Sequence, residues 1–541
     1  MQPVEMVPRR PEALVVAAFI AILVATSSLP YYISWRRTPP DRIYTGASGN
    51  RGSDLAPYLA RMRAGARGEW TYRSPYAPGI GPTLTIRPSF TIMGALTGFA
   101  GAPFWVGYHA ARLLLGVVCL VALFGLAGAV SRSRLERWVV FILSSVGSGI
   151  GWMIGRGGQE DRWSYDLWVG EMNVAHSLIT SPHFLLSILL MLACVAGFAR
   201  SLDRGRAGPA AWGGAAFAFL ALYHPYDDVV LAATLVACGI AALVKAQIPR
   251  RTLLKSALTF ALVALPAAAW EIVSVLTDPS LAHMGLNQPV GSVWSLVTGL
   301  GFLPILAVPG GVELARRSTL GRALVAWCLV VPVLFLLPTT FPRRLVAGWQ
   351  VPLGIAAGIG LARLLTPIRK RALRGLAAIA VLTLASLSTV DVYAYKIRSA
   401  LEEPELGNRT WLPRDYVEAY AWLQSHGAAR SVVLAPFSFS NFVPVYSDLC
   451  PYFGHWAETP DAPARSARAL EFYQPDTTDA RRTQLLAETG ADWVIAPEPG
   501  ATPGDRDLDL RRVEGLSLAG HTGALEIFRA RSARTLHPGD R

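Results

Sequence analysis

Apolar residues recur along this chain in runs of about twenty, the length at which a helix crosses a hydrocarbon core of about 30 Å. Short polar gaps separate the runs. The pattern predicts eleven membrane helices, over residues 13–34, 104–130, 138–155, 174–199, 211–223, 229–246, 256–277, 296–313, 323–341, 345–365 and 375–395. No small-residue cleavage motif precedes the polar flank of the first run, which is therefore read as a retained helix. The fifth and sixth runs are short and meet at Tyr223-His224-Pro225-Tyr226-Asp227-Asp228. A membrane tolerates such a proline-broken polar turn only where it lines a cavity or is buried in protein. No internal repeat is visible, which gives a transporter of inverted halves no support.

Two stretches fall outside this pattern. The first loop, residues 35–103, is polar and rich in arginine and aromatic residues. Within it, Ser53 to Arg63 is predicted as a short amphipathic helix with Leu55, Leu59 and Met62 on one stripe, and residues 86–101 as a re-entrant or interfacial segment. From residue 397 the chain is polar again. There the pattern predicts a helix over Asp415 to His426 closed by Gly427, buried strands in SVVLAPF and DWVIAPE, a helix over Ala480 to Thr489 and a hairpin over Leu516 to Phe528. The expected organisation is a transmembrane domain over 1–396 that includes the first loop, followed by a small α/β domain over 397–541.

Composition agrees with a polytopic α-helical membrane protein, since 52% of the 541 residues are hydrophobic and 16% charged. The net charge of +13 invites a nucleic-acid partner, but the placement of the cations argues against one. They concentrate in alternate gaps: Arg132, Arg134 and Arg137; Arg200, Arg204 and Arg206; Lys245, Arg250, Arg251 and Lys255; Arg316, Arg317 and Arg322; Arg369, Lys370, Arg371 and Arg374. The stretch from Asp278 to Leu300 has no cation. By the positive-inside rule the basic gaps are cytoplasmic, which puts the N-terminus inside and the first loop, the Tyr223–Asp228 turn and the C-terminal domain outside. Lysines number only four, a composition that fits a GC-rich bacterial genome and hence a bacterial inner membrane. Cys119, Cys194, Cys238 and Cys328 fall in apolar runs and Cys450 lies in a polar region, so neither a disulfide framework nor a CxxC metal site can be built.

The candidate chemistry lies on the outer side. Asp54, in a loop that also carries Tyr58, Arg61, Arg63, Glu69, Trp70 and Tyr72, has the residue type and location of a general base; the competing reading is a cap for the helix that follows. His224, Asp227 and Asp228 are candidates to hold a divalent cation such as Mg or Mn, or an acceptor sugar. Pro225 breaking the helix and Asp227 capping the next is the alternative. Glu171, before the fourth run, and His176 and His183 within it are candidates to line the same cavity, the two histidines seven residues apart on one helix face. Arg343 and Arg344, on an otherwise cation-poor side, suit bidentate contact with a lipid phosphate, against the simpler reading of snorkelling to headgroups. Arg112, inside the second run beside Tyr108 and His109, needs a buried partner and joins the phosphate-binding candidates. In the C-terminal region, PVYSDLCPYFGHWAET offers Tyr446, Tyr452, Phe453, His455, Trp456, Glu458 and Thr459 as a sugar-stacking or docking run.

With these features the chain resembles the multi-spanning GT-C glycosyltransferases, the superfamily that includes protein O-mannosyltransferase-like and lipid A aminoarabinose transferase-like enzymes. The likeness rests on the first helix, the loop with its acid ahead of a Tyr-Leu helix (Ser53-Asp54-Leu55-Ala56-Pro57-Tyr58-Leu59), the proline-linked later spans and the polar C-terminal region. It covers the whole chain in architecture and short stretches in residues. The resemblance implies inverting transfer of a sugar from a polyprenyl-phosphate donor to a glycan, lipid or protein acceptor on the outer face, with Asp54 as base. Many members carry two acids close together in this loop, whereas here Glu69 follows Asp54 only fifteen residues later, which puts metal dependence in doubt. A second acid would have to come from the Tyr223–Asp228 turn or Glu171. Transport or flipping of a lipid-linked glycan, and a non-catalytic role in envelope assembly, are the alternatives. Loss of activity in Asp54→Asn separates the first reading from both.

Overall fold

A computed structural model describes residues 10–48, 52–81, 83–157, 162–244, 248–278, 291–339, 341–402, 410–497 and 508–531. Lys245, and the part of the cation-free stretch from 279 to 290, lie outside the described residues. Helices of seven or more residues are α1 (Arg10–Arg36), α2 (Gly52–Ala66), α3 (Pro88–Phe99), α4 (Phe104–Val130), α5 (Arg134–Val146), α6 (Val174–Thr180), α7 (Pro182–Arg204), α8 (Ala207–Ala221) and α9 (Pro225–Val244). They continue with α10 (Arg250–Thr277), α11 (Val293–Leu300), α12 (Leu303–Arg317), α13 (Thr319–Phe335), α14 (Gln350–Leu364), α15 (Arg371–Leu401), α16 (Arg414–His426), α17 (Ala462–Tyr473) and α18 (Asp479–Thr489).

Among the described residues, seven helices are long and apolar enough to cross a membrane: α1, α4, α7, α9, α10, the segment Pro342–Leu364 that ends in α14, and α15. An eighth is obtained if α11 and α12, bent by 67°, count as one span. The other runs expected to cross are shorter helices, α8 of 15 residues, α13 of 17 and α5 of 13. At about 1.5 Å per residue, α5 reaches only about 20 Å. Hydropathy registers apolar content but not where the helix stops, and here Gly147 stops it in extended conformation.

The fourth expected run is also divided. Ser181 adopts extended angles, φ −151° and ψ 129°, and Pro182 opens α7. A residue before proline is driven out of the helical region, so His176 lies on α6 and His183 on α7, on separate helices rather than one face.

The chain forms two compact units. The first comprises Met1–Leu29, Tyr108–Ile272 and Asn287–Ile397. Its centre is α14, whose Gly354-Ile355-Ala356-Ala357-Gly358 lets neighbouring backbones approach closely. A side chain at Gly354 would meet the Leu143 carbonyl of α5 at 2.5 Å, and one at Gly358 the Val140 Cα at 2.6 Å. Small residues at four-residue spacing are the usual means of close helix packing in lipid, where no hydrophobic force draws helices together. Val140, Leu143, Ile355, Ile359 and Trp327 belong to the resulting core.

The second unit comprises Pro30–Gly107, Val273–Leu286 and Arg398–Arg541, so the first loop folds with the C-terminal region. Strand β1 (Arg42–Tyr44) pairs antiparallel with β2 (Trp411–Pro413), joining the two stretches directly. The remaining strands are β3 (Val432–Leu434), β4 (Cys450–Pro451), β5 (Trp493–Pro497), β6 (Leu516–Thr522) and β7 (Leu525–Ala530). They form a mixed sheet in the order β4-β3-β5-β7-β6, with β3 parallel to β4 and β5 and β7 antiparallel to β5 and β6. Val432, Leu434, Val494 and Phe528 pack from it against Phe472 of α17 and Leu485 of α18. Helix α18 is delimited locally, by the Thr478 hydroxyl accepting from the Arg481 N–H and by left-handed Gly490 at φ 60°.

In the first loop α2 buries Leu55, Leu59 and Met62 and lies directly on α3. A side chain at Gly94 of α3 would overlap the Met62 carbonyl, and one at Gly65 of α2 would stand 2.5 Å from the Thr91 carbonyl. Because both obstacles are backbone, Gly94→Ala should lower the thermal unfolding midpoint of the purified protein, with a cost on the order of 1–3 kcal/mol. An unchanged midpoint would show that the two helices are not packed this closely.

Candidate functional site

Sequence-predicted residues gather in two clusters, one in each unit. In the first unit a short 3-10 turn, Gly170–Met172, carries Glu171, and another, Pro342–Val346, carries Arg343 and Arg344. Arg344 Nη1 donates to Glu171 Oε1 at 3.0 Å, and Arg343 Nε stands 3.8 Å from the same oxygen. The Gly348 N–H donates to the Glu171 carbonyl at 2.9 Å and ties the two turns together. Burial pushes the Glu171 carboxyl up, but Arg344 and then Arg343 outweigh it and hold it at about 2. The Arg343 guanidinium also lies over the Trp168 ring, 5.1 Å from its centre; Trp168 was not among the sequence candidates.

The Tyr223–Asp228 turn borders this cluster. Pro225 opens α9, so Asp227 and Asp228 occupy its first turn. Both are buried, as is His224, whose Nδ1 is 2.9 Å from Asp227 Oδ2. Tyr226 packs on Phe341, with ring centres 5.0 Å apart, and His224 is close enough to act on the Glu171 charge. His183 completes the group, its ring centre 6.4 Å from that of His224, and its carbonyl accepts from the Tyr223 hydroxyl at 3.1 Å. Glu171, His183, His224, Asp227, Arg343 and Arg344 are thus neighbours within one unit.

Among the described residues no three His, Cys, Asp or Glu side chains group so as to hold a metal ion, and His224 pairs with Asp227 at 2.9 Å. Arg112, expected at a phosphate, is only 1% exposed. Its Nη1 donates to the Leu178 carbonyl at 2.6 Å and to Ser27 Oγ at 3.2 Å, and its Nε to His109 Nδ1 at 3.2 Å. The guanidinium joins α1, α4 and α6, because a buried arginine must fill its donors from within the protein.

In the second unit, α2 presents Asp54, Tyr58 and Arg61 at helical spacing. Asp54 sits in the first turn of the helix. Its side chain is 44% exposed, and its Oδ1 accepts from His455 Nε2 at 3.4 Å and Trp456 Nε1 at 3.3 Å. Tyr58 stacks on Phe90, with ring centres 5.1 Å apart and planes within 4°. Arg61 is buried, donating to Glu458 Oε1 at 2.6 Å beneath the Tyr72 ring 4.7 Å away, while the Tyr72 hydroxyl donates to Glu458 Oε2 at 2.9 Å. Burial works against ionisation of Glu458, but Arg61 outweighs it and holds the carboxyl below its ordinary range. Burial pushes the Tyr72 phenol up to about 12, against the opposing pull of Arg61. Glu69 is apart from this group, 47% exposed and paired with Arg67 at 2.8 Å.

His455, Trp456 and Glu458 come from the aromatic-rich run of the C-terminal region, and Arg61 from the first loop. The density of aromatic and polar residues marked the run for sugar stacking or for docking onto the membrane surface or the first loop; that it meets α2 through Asp54 and Arg61 was not legible.

The fold is shared by solved structures of an oligosaccharyltransferase and an arabinofuranosyltransferase, both GT-C glycosyltransferases. Solved structures of this kind superpose over nearly all of the chain. ArnT from Cupriavidus metallidurans, solved bound to undecaprenyl phosphate, matches with a TM-score of 0.50 at 13% identity, over 95% of this chain and 97% of its own. The oligosaccharyltransferase AglB from Archaeoglobus fulgidus, solved with an inhibitory peptide and a dolichol-phosphate, matches with a TM-score of 0.56 at 11% identity, over 89% of this chain and 69% of its own. The arabinofuranosyltransferase AftD from Mycobacteria gives a TM-score of 0.56 at 16% identity, over 95% of this chain but 41% of its own. At these identities the likeness is one of fold. No protein-family profile and no curated protein matches the chain.

The Arg61–Glu458 pair yields a pH-dependent prediction. A carboxyl whose folded value is depressed contributes stability that is complete above its unfolded value, about 4.3, and is lost as pH falls through the lower folded value. The unfolding midpoint of the parent protein should therefore drop on acidification below about pH 4. Glu458→Gln, which leaves a buried guanidinium unpaired, should cost on the order of 3 kcal/mol at neutral pH and flatten this acid dependence. An acid profile identical to the parent would remove Glu458 as the titrating group.

Proposed function

We propose that this protein is a glycosyltransferase of the bacterial inner membrane that moves a sugar, with inversion, from a polyprenyl-phosphate donor to a hydroxyl of a glycan, lipid or protein acceptor on the outer face. The observation that carries the reading is the convergence of Arg343 and Arg344 on Glu171 beside a buried polar turn, on the fold of proteins solved with undecaprenyl phosphate or a dolichol-phosphate. Two planar guanidinium groups suit the bidentate contacts of a phosphate. Asp54 is assigned the base because it is a half-exposed acid on a helix turn, held by the Trp456 indole N–H and the His455 ring.

The roles follow from the atoms. The acceptor hydroxyl passes its proton to Asp54 as its oxygen attacks the anomeric carbon. The bond from that carbon to the phosphate oxygen breaks, and polyprenyl phosphate leaves with the electron pair. Negative charge develops on the leaving oxygen, and paired guanidinium groups such as Arg343 and Arg344 are chemically suited to it. A single displacement of this kind inverts the anomeric centre. His183, His224, Asp227 and Asp228 are assigned to the sugar hydroxyls, as acceptors in a buried setting flanked by Tyr226 and Phe341.

Purified protein in nanodiscs, given a panel of synthetic undecaprenyl-phosphate pentoses and hexoses with a bacterial membrane extract as acceptor, tests these roles through release of undecaprenyl phosphate. Asp54→Asn should reduce release by about 10³-fold, within the range of lost general-base catalysis, with folding unchanged. Arg343→Gln combined with Arg344→Gln should weaken binding of undecaprenyl phosphate itself by about tenfold or more. Parent rates in Asp54→Asn would end its assignment as base, and parent affinity in the double variant would end the phosphate assignment.

A further inference from the structure

The face that Asp54 turns to the C-terminal loop is more ordered than a half-exposed acid requires. His455 is 5% exposed, and its Nδ1 accepts two backbone N–H groups, from Ala457 and Glu458, each at 3.2 Å. A ring nitrogen that accepts hydrogen bonds keeps its lone pair, so in the neutral ring the proton is on Nε2. That nitrogen faces Asp54 Oδ1 at 3.4 Å, and the indole N–H of Trp456, which can only donate, reaches the same oxygen at 3.3 Å.

The loop carrying these donors is itself fixed. The Gly454 and His455 N–H groups both donate to Thr459 Oγ1, at 3.3 and 3.2 Å. Glu458 is clamped by Arg61, seven residues beyond Asp54 on α2. One short loop therefore grips the helix at two points separated by about 10 Å, two helical turns. Around the imidazole, the charged groups are Asp54 from α2, with Glu458 and its partner Arg61; the Tyr76 ring packs against it with centres 6.0 Å apart.

We propose that His455 is a positioning residue for Asp54. Its tautomer is selected by the backbone of its own loop, so that it always offers a donor to Oδ1 and, with Trp456, holds the carboxylate in one orientation as it receives the acceptor's proton. This rests on Asp54 being the base. A purely structural bond between loop and helix would have no reason to select the tautomer, and its loss would reduce stability rather than turnover.

The full chain in nanodiscs, with the undecaprenyl-phosphate sugar panel and thermal unfolding measured in parallel, separates these roles. His455→Ala should lower kcat by about 10²-fold, the scale of a misplaced catalytic group, with KM and the unfolding midpoint little changed. His455→Gln, which retains a side-chain N–H, should restore most of the rate, and His455→Ala should add nothing in the Asp54→Asn background. Parent kcat in His455→Ala alongside an inactive Asp54→Asn overturns the positioning role alone. Parent kcat in Asp54→Asn overturns the base assignment on which it rests. A second measurement is independent of turnover. In protein labelled with 15N-histidine, the His455 signal, identified by its loss in His455→Gln, should show the Nε2-protonated tautomer and should shift in Asp54→Asn. An Nδ1-protonated ring, or a signal unmoved by Asp54→Asn, overturns the proposal whatever the panel yields.

Discussion

Lipid cannot hydrogen-bond a freed backbone group, and the chemistry of the membrane unit depends on that constraint. Helices here stop at Ser181 ahead of Pro182, between Leu222 and Pro225, and at the turn opening with Pro342. Polar side chains gather at each interruption. The Tyr108 hydroxyl reaches Ser181 Oγ at 3.2 Å, and the Tyr223 hydroxyl lies 2.9 Å from Ser187 Oγ and bonds the His183 carbonyl. Glu171, His224, Asp227, Arg343 and Arg344 occupy the same neighbourhood. The groups that make broken helices tolerable in a bilayer thus also form one buried polar cluster.

In the second unit a different balance holds. Asp54 and Arg61 lie on one face of α2, yet the acid is half-exposed while the guanidinium is buried against Glu458 and the Tyr72 ring. Removing a guanidinium from water is costly, and the short contact to Glu458, the hydroxyl of Tyr72 and the aromatic face together offset that cost. The buried end of the helix anchors the C-terminal loop; the other end carries a half-exposed carboxylate. Close backbone contact with α3 through Gly94 and Gly65 fixes the helix that bears both.

Much of this was legible in the sequence. The stripe of Leu55, Leu59 and Met62 placed α2, and alternation with turn residues placed α16, α18 and the strands around Val432 and Trp493, because these are local patterns of period and burial. Charge asymmetry suggested one membrane side for Glu171, the paired arginines and the Tyr223–Asp228 turn, but not that Arg343 and Arg344 would meet Glu171. Where local pattern misled, a short-range event had been averaged away: Pro182 separates His176 from His183, and Gly147 shortens α5. That Arg112 is a buried charge in need of partners was legible, but not that the Leu178 carbonyl and Ser27 hydroxyl would be among them.

The sequence by itself determined a multi-pass helical chain with a polar first loop, a polar C-terminal region and an acid in a conspicuous place, since hydropathy and periodicity are properties of neighbouring residues. Only the tertiary structure decided that the first loop folds with residues some 350–400 positions away, through the β1–β2 pair, Arg61 with Glu458, and Asp54 with His455 and Trp456. Those contacts depend on hydrogen-bond geometry and burial across great sequence separation, and no local pattern encodes which distant partner will satisfy a given charge.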